Sequence, residues 1–505
     1  MTQEDPGGNS SLKKFFQPID GASIVDLIAG RPQTKYAWLQ RLWLAILFLG
    51  GLYLWGRFLN WGRGPVNFHD WAIIFGPRLA FLREAILRGE LPLHLSAPAV
   101  EGGVTLRFLS SPDQILSPQI FLLPWLDVGH FVLLQYFLLY SLGFWALLLL
   151  RRRFELSLLA FTMLFTLFNF NGHILAHASV GHANWAGYFL FAAFAVLIFD
   201  LLDGQASWRW VAMVAFLSLF MVLQGSYHQF IYMLFFLGLL ALSSPRNFWW
   251  IAAASGFAVL VTMARTLPAG LLMGQLDNDF ISGYPHIESF WMYMTQRQFA
   301  NDATLNSGLT KPTGTWEFTV FVGILAALFI LYFGVVRNLT NRETPFHFQV
   351  LLIPCLGLTL LSLDKVFFTL RSVFPIPLFT GERVASRIFS LAFVFLLIAA
   401  TVLFQRWLDK NRPTLTRLLA ILLLVALAAY DISSNIRLWS VKNIANLYPT
   451  EDFVPSRYFP VNQYSDTPYL ALLAISLLVS IASAGVLLYL AWRERRKFIK
   501  SPTNN

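Results

Sequence analysis

Leu156–Phe199 reads LSLLAFTMLFTLFNFNGHILAHASVGHANWAGYFLFAAFAVLIF, 44 consecutive residues without Asp, Glu, Lys or Arg. A helix crosses a bilayer with about 20 apolar residues, so this stretch is too long for one crossing and holds two. Asn169, Asn171 and Gly172 mark the break, which gives spans near Leu156–Phe170 and Ala183–Leu202. Three histidines, His173, His177 and His182, fall between them. A second charge-free stretch, Trp210–Pro245, breaks at Gln224-Gly225-Ser226 into a tight helical hairpin.

Further spans are expected at Leu42–Leu59, Val128–Leu150, Asn247–Ala264, Phe318–Val336, Pro345–Leu363, Ile388–Gln405, Leu418–Asn435 and Thr467–Trp492. That makes about twelve in a chain of 505 residues. The chain is 56% hydrophobic and only 13% charged. An ordinary soluble domain is roughly 25% charged, so a soluble enzyme is excluded and an all-α polytopic membrane protein is expected. The net charge of +10 does not point to nucleic acid, because the basic residues follow membrane topology. With the N-terminus cytoplasmic, the inner segments hold 21 of the 37 Lys/Arg and 10 of the 27 Asp/Glu. The whole basic excess then lies inside, anchored by Arg151-Arg152-Arg153 and by Arg493–Lys497. Both termini are expected in the cytoplasm of a bacterial plasma membrane. The N-terminal stretch has no features of a secretory signal. The single cysteine, Cys355, allows no intrachain disulfide and no cysteine-based metal site.

The division read from the sequence is a cytoplasmic segment over 1–38, one transmembrane domain over 39–492, and a basic tail over 493–505. The long outer loops are 60–127, 265–317, 364–387 and 431–466, and function on a rigid scaffold collects in such loops. In the first, Phe75–Glu90 reads as an amphipathic juxtamembrane helix. Leu79, Leu82, Ile86 and Leu87 line one side, and Arg83, Glu84 and Arg88 the other. Ile115–Leu126 is apolar, carries Pro118 and Pro124, and is too short to span, so a re-entrant or interfacial piece is expected.

The order of the first loop carries a resemblance. Phe68-His69-Asp70-Trp71 follows the first span. After the amphipathic helix come Arg88-Gly89-Glu90-Leu91-Pro92-Leu93 and then Glu101-Gly102-Gly103. This resembles the GT-C superfamily of membrane glycosyltransferases, and within it the bacterial YfhO-like proteins. Gly181-His182, Gln224–Gln229, Trp316-Glu317-Phe318 with Val322-Gly323, and Arg383-Val384-Ala385-Ser386-Arg387 match in order over about Leu42–Ala400. His94-Leu95 departs from the family's aromatic-Asn after Pro-Leu. The resemblance implies an enzyme that moves a hexosyl or pentosyl group from a polyprenyl-phosphate carrier. The acceptor would be a glycan, lipid or protein at the outer face. A divalent metal is compatible with it, and the sequence demands none.

Asp70 is the residue the resemblance marks as the catalytic base, since a carboxylate suits removal of the acceptor's proton. Its plain alternative is a cap for the helix starting near Trp71. His69 could tune that carboxylate or bind a metal beside it, or be a plain loop histidine. His173 and His177 stand four apart and share a helix face, either as metal ligands or as polar lining of a cavity, and His182 is a substrate-binding candidate. Arg383 and Arg387, also four apart, could clamp a leaving phosphate or anchor lipid headgroups. Arg371, Arg265, Arg297 and Lys311 are weaker candidates for the same task. Asp277, Asp279, His286, Glu288 and Glu317 sit in or close the 265–317 loop as acceptor-site candidates or plain solvated residues; Glu317, at a span boundary, is the best of them, and Asp431 falls inside the outer end of a span. There is no Walker A run, HExxH, GxSxG or GxGxxG, which removes ATP-driven transport by this chain and a nucleotide-sugar Rossmann site. The expectation is a GT-C-type glycosyltransferase. The rival from another class is a transporter or flippase of a lipid-linked sugar or polysaccharide.

Overall fold

The computed structural model describes residues 21–64, 66–94, 107–111, 113–273, 282–300, 302–303, 313–341, 345–448 and 466–500. The readings on Glu101-Gly102-Gly103, Asp277, Asp279 and Lys311 lie outside these residues. The architecture is all-α. Among the described residues the strand content is one two-residue ladder, Asp302–Ala303 against Thr313–Gly314.

The helices that frame the molecule are α1 (Ala37–Phe58), α2 (Gly76–Leu87), α3 (Val128–Arg153), α4 (Leu158–Asn169), α5 (Gly172–Ser179), α6 (Phe191–Leu202) and α7 (Trp208–Leu223). They continue with α8 (Tyr227–Ser243), α9 (Phe248–Met273), α10 (Ile324–Thr340), α11 (Phe346–Leu361), α12 (Phe389–Lys410), α13 (Leu415–Leu438) and α14 (Thr467–Lys500). Among the described residues, eight helical stretches are long and apolar enough to cross a membrane. The expected count of about twelve is not reached on length. Trp208–Leu223, Tyr227–Ser243, Ile324–Thr340 and Phe346–Leu361 are apolar but shorter than the other eight.

The core is built on α12, whose residues Phe389–Gln405 are all buried. Around it pack α4, α10 and α11, with α6 and α8 beyond. On one side α7, α9 and α14 form their own layer. By contrast α1, α13 and α14 present rows of exposed apolar residues, such as Leu419, Leu423 and Leu427 on α13. Such rows suit hydrocarbon and not water.

Helix ends follow capping chemistry. Asp127, Ser157, Ser207 and Thr414 each accept a backbone N–H at the start of α3, α4, α7 and α13. The break between α4 and α5 comes from Asn171. Its side-chain oxygen caps α5 at Ile174 N, while its amide donates to the last carbonyls of α4, Leu167 and Phe168. One side chain therefore satisfies groups at both ends. The apolar stretch is therefore longer than the expected Leu156–Phe170: α4 and α5 run on over Leu158–Ser179, and His173 and His177 share a helix as their spacing suggested.

The first loop also differs in detail. The expected amphipathic helix is present as α2, preceded by a π-turn over Trp71–Phe75. Its buried face, however, is Arg78, Leu79, Phe81, Leu82 and Ala85, and Leu87 is exposed. Arg78 turns inward because Asp113 takes its guanidinium through both oxygens, at 2.9 and 3.0 Å. Arg265 donates to the carbonyls of Leu109, Ser111 and Asp113, so it holds this loop. Gln119 and Gln224 exchange amide hydrogen bonds at 2.7 and 3.0 Å.

Candidate functional site

The site begins with a backbone contact. Gly181 has φ +107, and a Cβ there would lie 2.4 Å from the Trp71 nitrogen and 2.8 Å from the Asp70 carbonyl carbon. Only glycine lets the 179–182 turn lie flat on the Asp70–Trp71 backbone. The dock is fixed on both sides. Trp71 Nε1 donates to the Ser179 carbonyl at 3.0 Å, and His69 Nδ1 lies 3.2 Å from the Val180 carbonyl. His69 itself is held at φ +46. The next residue, His182, then faces Asp70, with Nε2 2.6 Å from Oδ2.

Asp70 therefore does not cap the helix that follows. It has helical backbone angles and makes no side-chain cap bond. Its carboxylate is one-fifth exposed and lies 3.5 Å from His69 Nδ1 through the other oxygen. Burial acts to raise its pKa, but the hydrogen bond and charge of His182, then the charges of His69 and Arg387, outweigh it. The carboxyl is held below its ordinary range.

Behind this pair the polar groups continue inward. His182 Nδ1 meets His177 Nδ1 at 2.7 Å. His177 Nε2 lies 3.9 Å from Glu317 Oε2. Glu317 is gripped by Arg387 through two contacts of 2.5 Å, and Ser386 Oγ donates to its carbonyl at 2.7 Å. One nitrogen each of His177 and His182 and one oxygen of Glu317 lie within 4.8 Å of one another, and all three residues are buried. These are the residues that could hold a metal.

Trp185 joins this group to a second one. His177 stacks on one face of it at 4.1 Å and His228 on it at 5.6 Å, both nearly parallel, and the Arg387 guanidinium lies 5.1 Å from the ring centre. His228 Nδ1 and the Tyr232 hydroxyl each reach Glu382 Oε2 at 2.8 Å, and the Val384 N–H donates to Oε1 at 2.9 Å. Glu382 is fully buried. Burial pushes its pKa up, yet the charge and hydrogen bond of His228, the charge of Arg387 and the Val384 amide bring it down to about 2. Residues 282–284 hold this loop by backbone bonds from Ser282 N to Arg383 O and from Ala385 N to Ser282 O, at 2.8 and 2.7 Å.

The structure thus brings Asp70, His69, His182, Glu317 and Arg387 into one cluster. Arg387 is committed to Glu317 and does not stand open as half of a clamp. Arg383 is half-buried beside Arg387, and among the described residues its side chain has no hydrogen bond or ion pair. His173 and His177 are buried in helix packing. Of the weaker basic candidates, Arg265 holds the first loop, Arg297 pairs with Asp431 at 2.6 Å, and Arg371 donates to the Glu382 carbonyl. His286 and Glu288 are exposed, at the N-cap and in the first turn of a short helix over Ile287–Thr295. His94 lies 3.4 Å from Asp466 and edge-on to Tyr469.

Sequence reading missed Trp185, Tyr232 and Glu382, and took His228 only as part of a hairpin turn. The available signal was scarcity. In a chain so poor in charge, a carboxylate between a glycine and an arginine, as at Gly381-Glu382-Arg383, is worth pairing with any nearby histidine.

The described residues also line cavities. One, of about 970 Å³, is lined by Arg57, Arg437, Lys442, Asn443 and Asn446. Another, of about 500 Å³, is apolar, between α4, α10, α12 and α13, with Met163, Phe329, Phe404 and Leu424 among its walls. Comparison of the chain with protein-family models, with curated proteins and with solved structures gives no match.

Proposed function

We propose that this protein is a membrane glycosyltransferase that moves a sugar from a polyprenyl-phosphate carrier to an acceptor hydroxyl. The observation that carries the reading is the Asp70–His182 pair. It is an ionised, partly exposed carboxylate, fixed by a histidine and lying on a connection at the end of an apolar bundle. In the reaction the acceptor oxygen attacks the anomeric carbon and its proton passes to Asp70. The bond from that carbon to the phosphate oxygen breaks, and the lipid phosphate leaves. Arg383 is the cation available to the departing phosphate. The apolar groove beside α13 offers a place for the polyprenyl chain, and the basic cavity beside Arg57 a place for anionic groups.

Transport of a lipid-linked sugar would call for ionisable side chains part-way along the spans. Here the Asp70–His182 pair, Glu317 and Glu382 lie on connections between helices. Purified protein in liposomes with a polyprenyl-phosphate sugar tests the reading. Free polyprenyl phosphate and a glycosylated acceptor support it. Movement of the intact donor between leaflets without cleavage replaces it with the flippase reading.

A further inference from the structure

We infer that His177, His182 and Glu317 form a binding site for one divalent transition-metal ion, with zinc the best chemical fit. Asp70 accepts from His182 Nε2 at 2.6 Å, so that nitrogen carries the proton and the Nδ1 of the neutral ring is a lone pair. This lone pair faces His177 Nδ1 at 2.7 Å. If His177 carries its proton on Nδ1, the two rings are hydrogen-bonded. Its Nε2 is then a fully buried lone pair without a hydrogen-bond partner, 3.9 Å from the Glu317 carboxylate. If the proton is on Nε2, two lone pairs oppose each other at 2.7 Å. Either tautomer leaves electron-rich atoms converging in a buried place, an arrangement that a cation between them relieves.

The donor set fits a metal in number and in type. Two imidazoles and one carboxylate are the three protein ligands of a zinc site that keeps a fourth position open. Their ligand atoms already lie within 4.8 Å of one another. Zinc bonds of about 2.0–2.2 Å need only a modest inward movement of the side chains. An ionised carboxylate has about four acceptor sites, so Glu317 keeps capacity after Arg387 has taken two.

The surroundings are those that orient metal ligands. Asp70 holds the far nitrogen of His182, Arg387 fixes Glu317, and Trp185 stacks on His177 at 4.1 Å with the planes 9° apart. His173, whose Nε2 is also buried without a partner, packs edge-on to His177 at 4.6 Å. The site itself is independent of sugar transfer. That its open position takes an oxygen of the leaving phosphate rests on the function proposed above.

The test uses the full chain in detergent, stripped with a chelator, loaded with zinc alone and desalted. Elemental analysis is expected to find about one zinc per chain, and saturating zinc to raise the melting temperature. His177→Ala and Glu317→Gln are expected to retain less than a tenth of that zinc and to show no rise. Should these variants fold poorly, cobalt in the wild-type chain serves instead. The site predicts the visible absorption of four-coordinate cobalt, with nitrogen ligands. A wild-type chain that holds no zinc, gains no stability and gives no cobalt spectrum overturns the site and leaves the imidazoles sharing a proton. Full zinc retention by well-folded variants overturns it as well. Asp70→Asn keeps an acceptor for His182 Nε2–H, so it is expected to keep the zinc. Zinc binding without sugar transfer by the wild-type chain then counts against the enzyme alone. Transfer without zinc counts against the site alone.

Discussion

Asp70 and His182 are far apart in sequence, and a glycine between two helices decides that they meet. Gly181→Ala adds a Cβ at 2.4 Å from backbone and forces a left-handed φ on a residue with a side chain. A loss of about 2 kcal/mol or more is expected from these combined penalties, read as a lower melting temperature together with lost activity. Glu382 gives a pH-dependent counterpart. Its folded pKa of about 2 lies below its ordinary 4.5, so it contributes stability that is fully present above about pH 4.5. That contribution is lost as the pH falls toward 2. Melting curves between these limits should fall for the wild type and run flatter for Glu382→Gln. Equal slopes would place the acid sensitivity elsewhere. The roles of individual residues were partly legible beforehand. Asp70, His182, Glu317 and Arg387 could be named from the resemblance, and the fold brings them into one cluster. That Arg387 serves Glu317 could not be read, because residues 70 positions apart carry no local trace of their pairing.

At the scale of elements, periodicity and breakers located most helices to within a few residues. Val128 starts a helix where expected, and Gln224-Gly225-Ser226 does break the hairpin. What could not be read was the inward turn of Arg78 on α2. Its leucines and arginines have the spacing of a surface helix, but the partner of Arg78 is Asp113, in a segment without helical signal. A buried guanidinium is tolerated only when paired. Asp113→Asn leaves that charge unmatched, and an expected cost of about 3–5 kcal/mol would appear as loss of the folded chain in detergent. Replacing both partners, as in Arg78→Met with Asp113→Leu, should recover much of it. If the double variant is no better than the single one, the ion pair does not hold α2.

For the whole molecule, composition alone was enough for an all-α membrane protein, since apolar residues at 56% cannot be hidden in a soluble chain of this size. The number of crossings was less legible, because length decides a span and α7, α8, α10 and α11 are short. The charge asymmetry predicts orientation. Cys355 is buried, so a Cys355→Ala background carries single reporters cleanly. In intact cells an impermeant thiol reagent should label Asn443→Cys and spare Arg152→Cys; the reverse pattern inverts the molecule. The central claim is chemical, and one comparison bears on it most directly: sugar transfer from a polyprenyl-phosphate donor by wild type and by Asp70→Asn in membranes with matched expression. The substitution keeps shape and an acceptor oxygen but cannot take a proton. A drop of about 10²–10⁴-fold is predicted, roughly 3–5 kcal/mol of barrier. Transfer at the wild-type rate by the Asn variant would contradict the account.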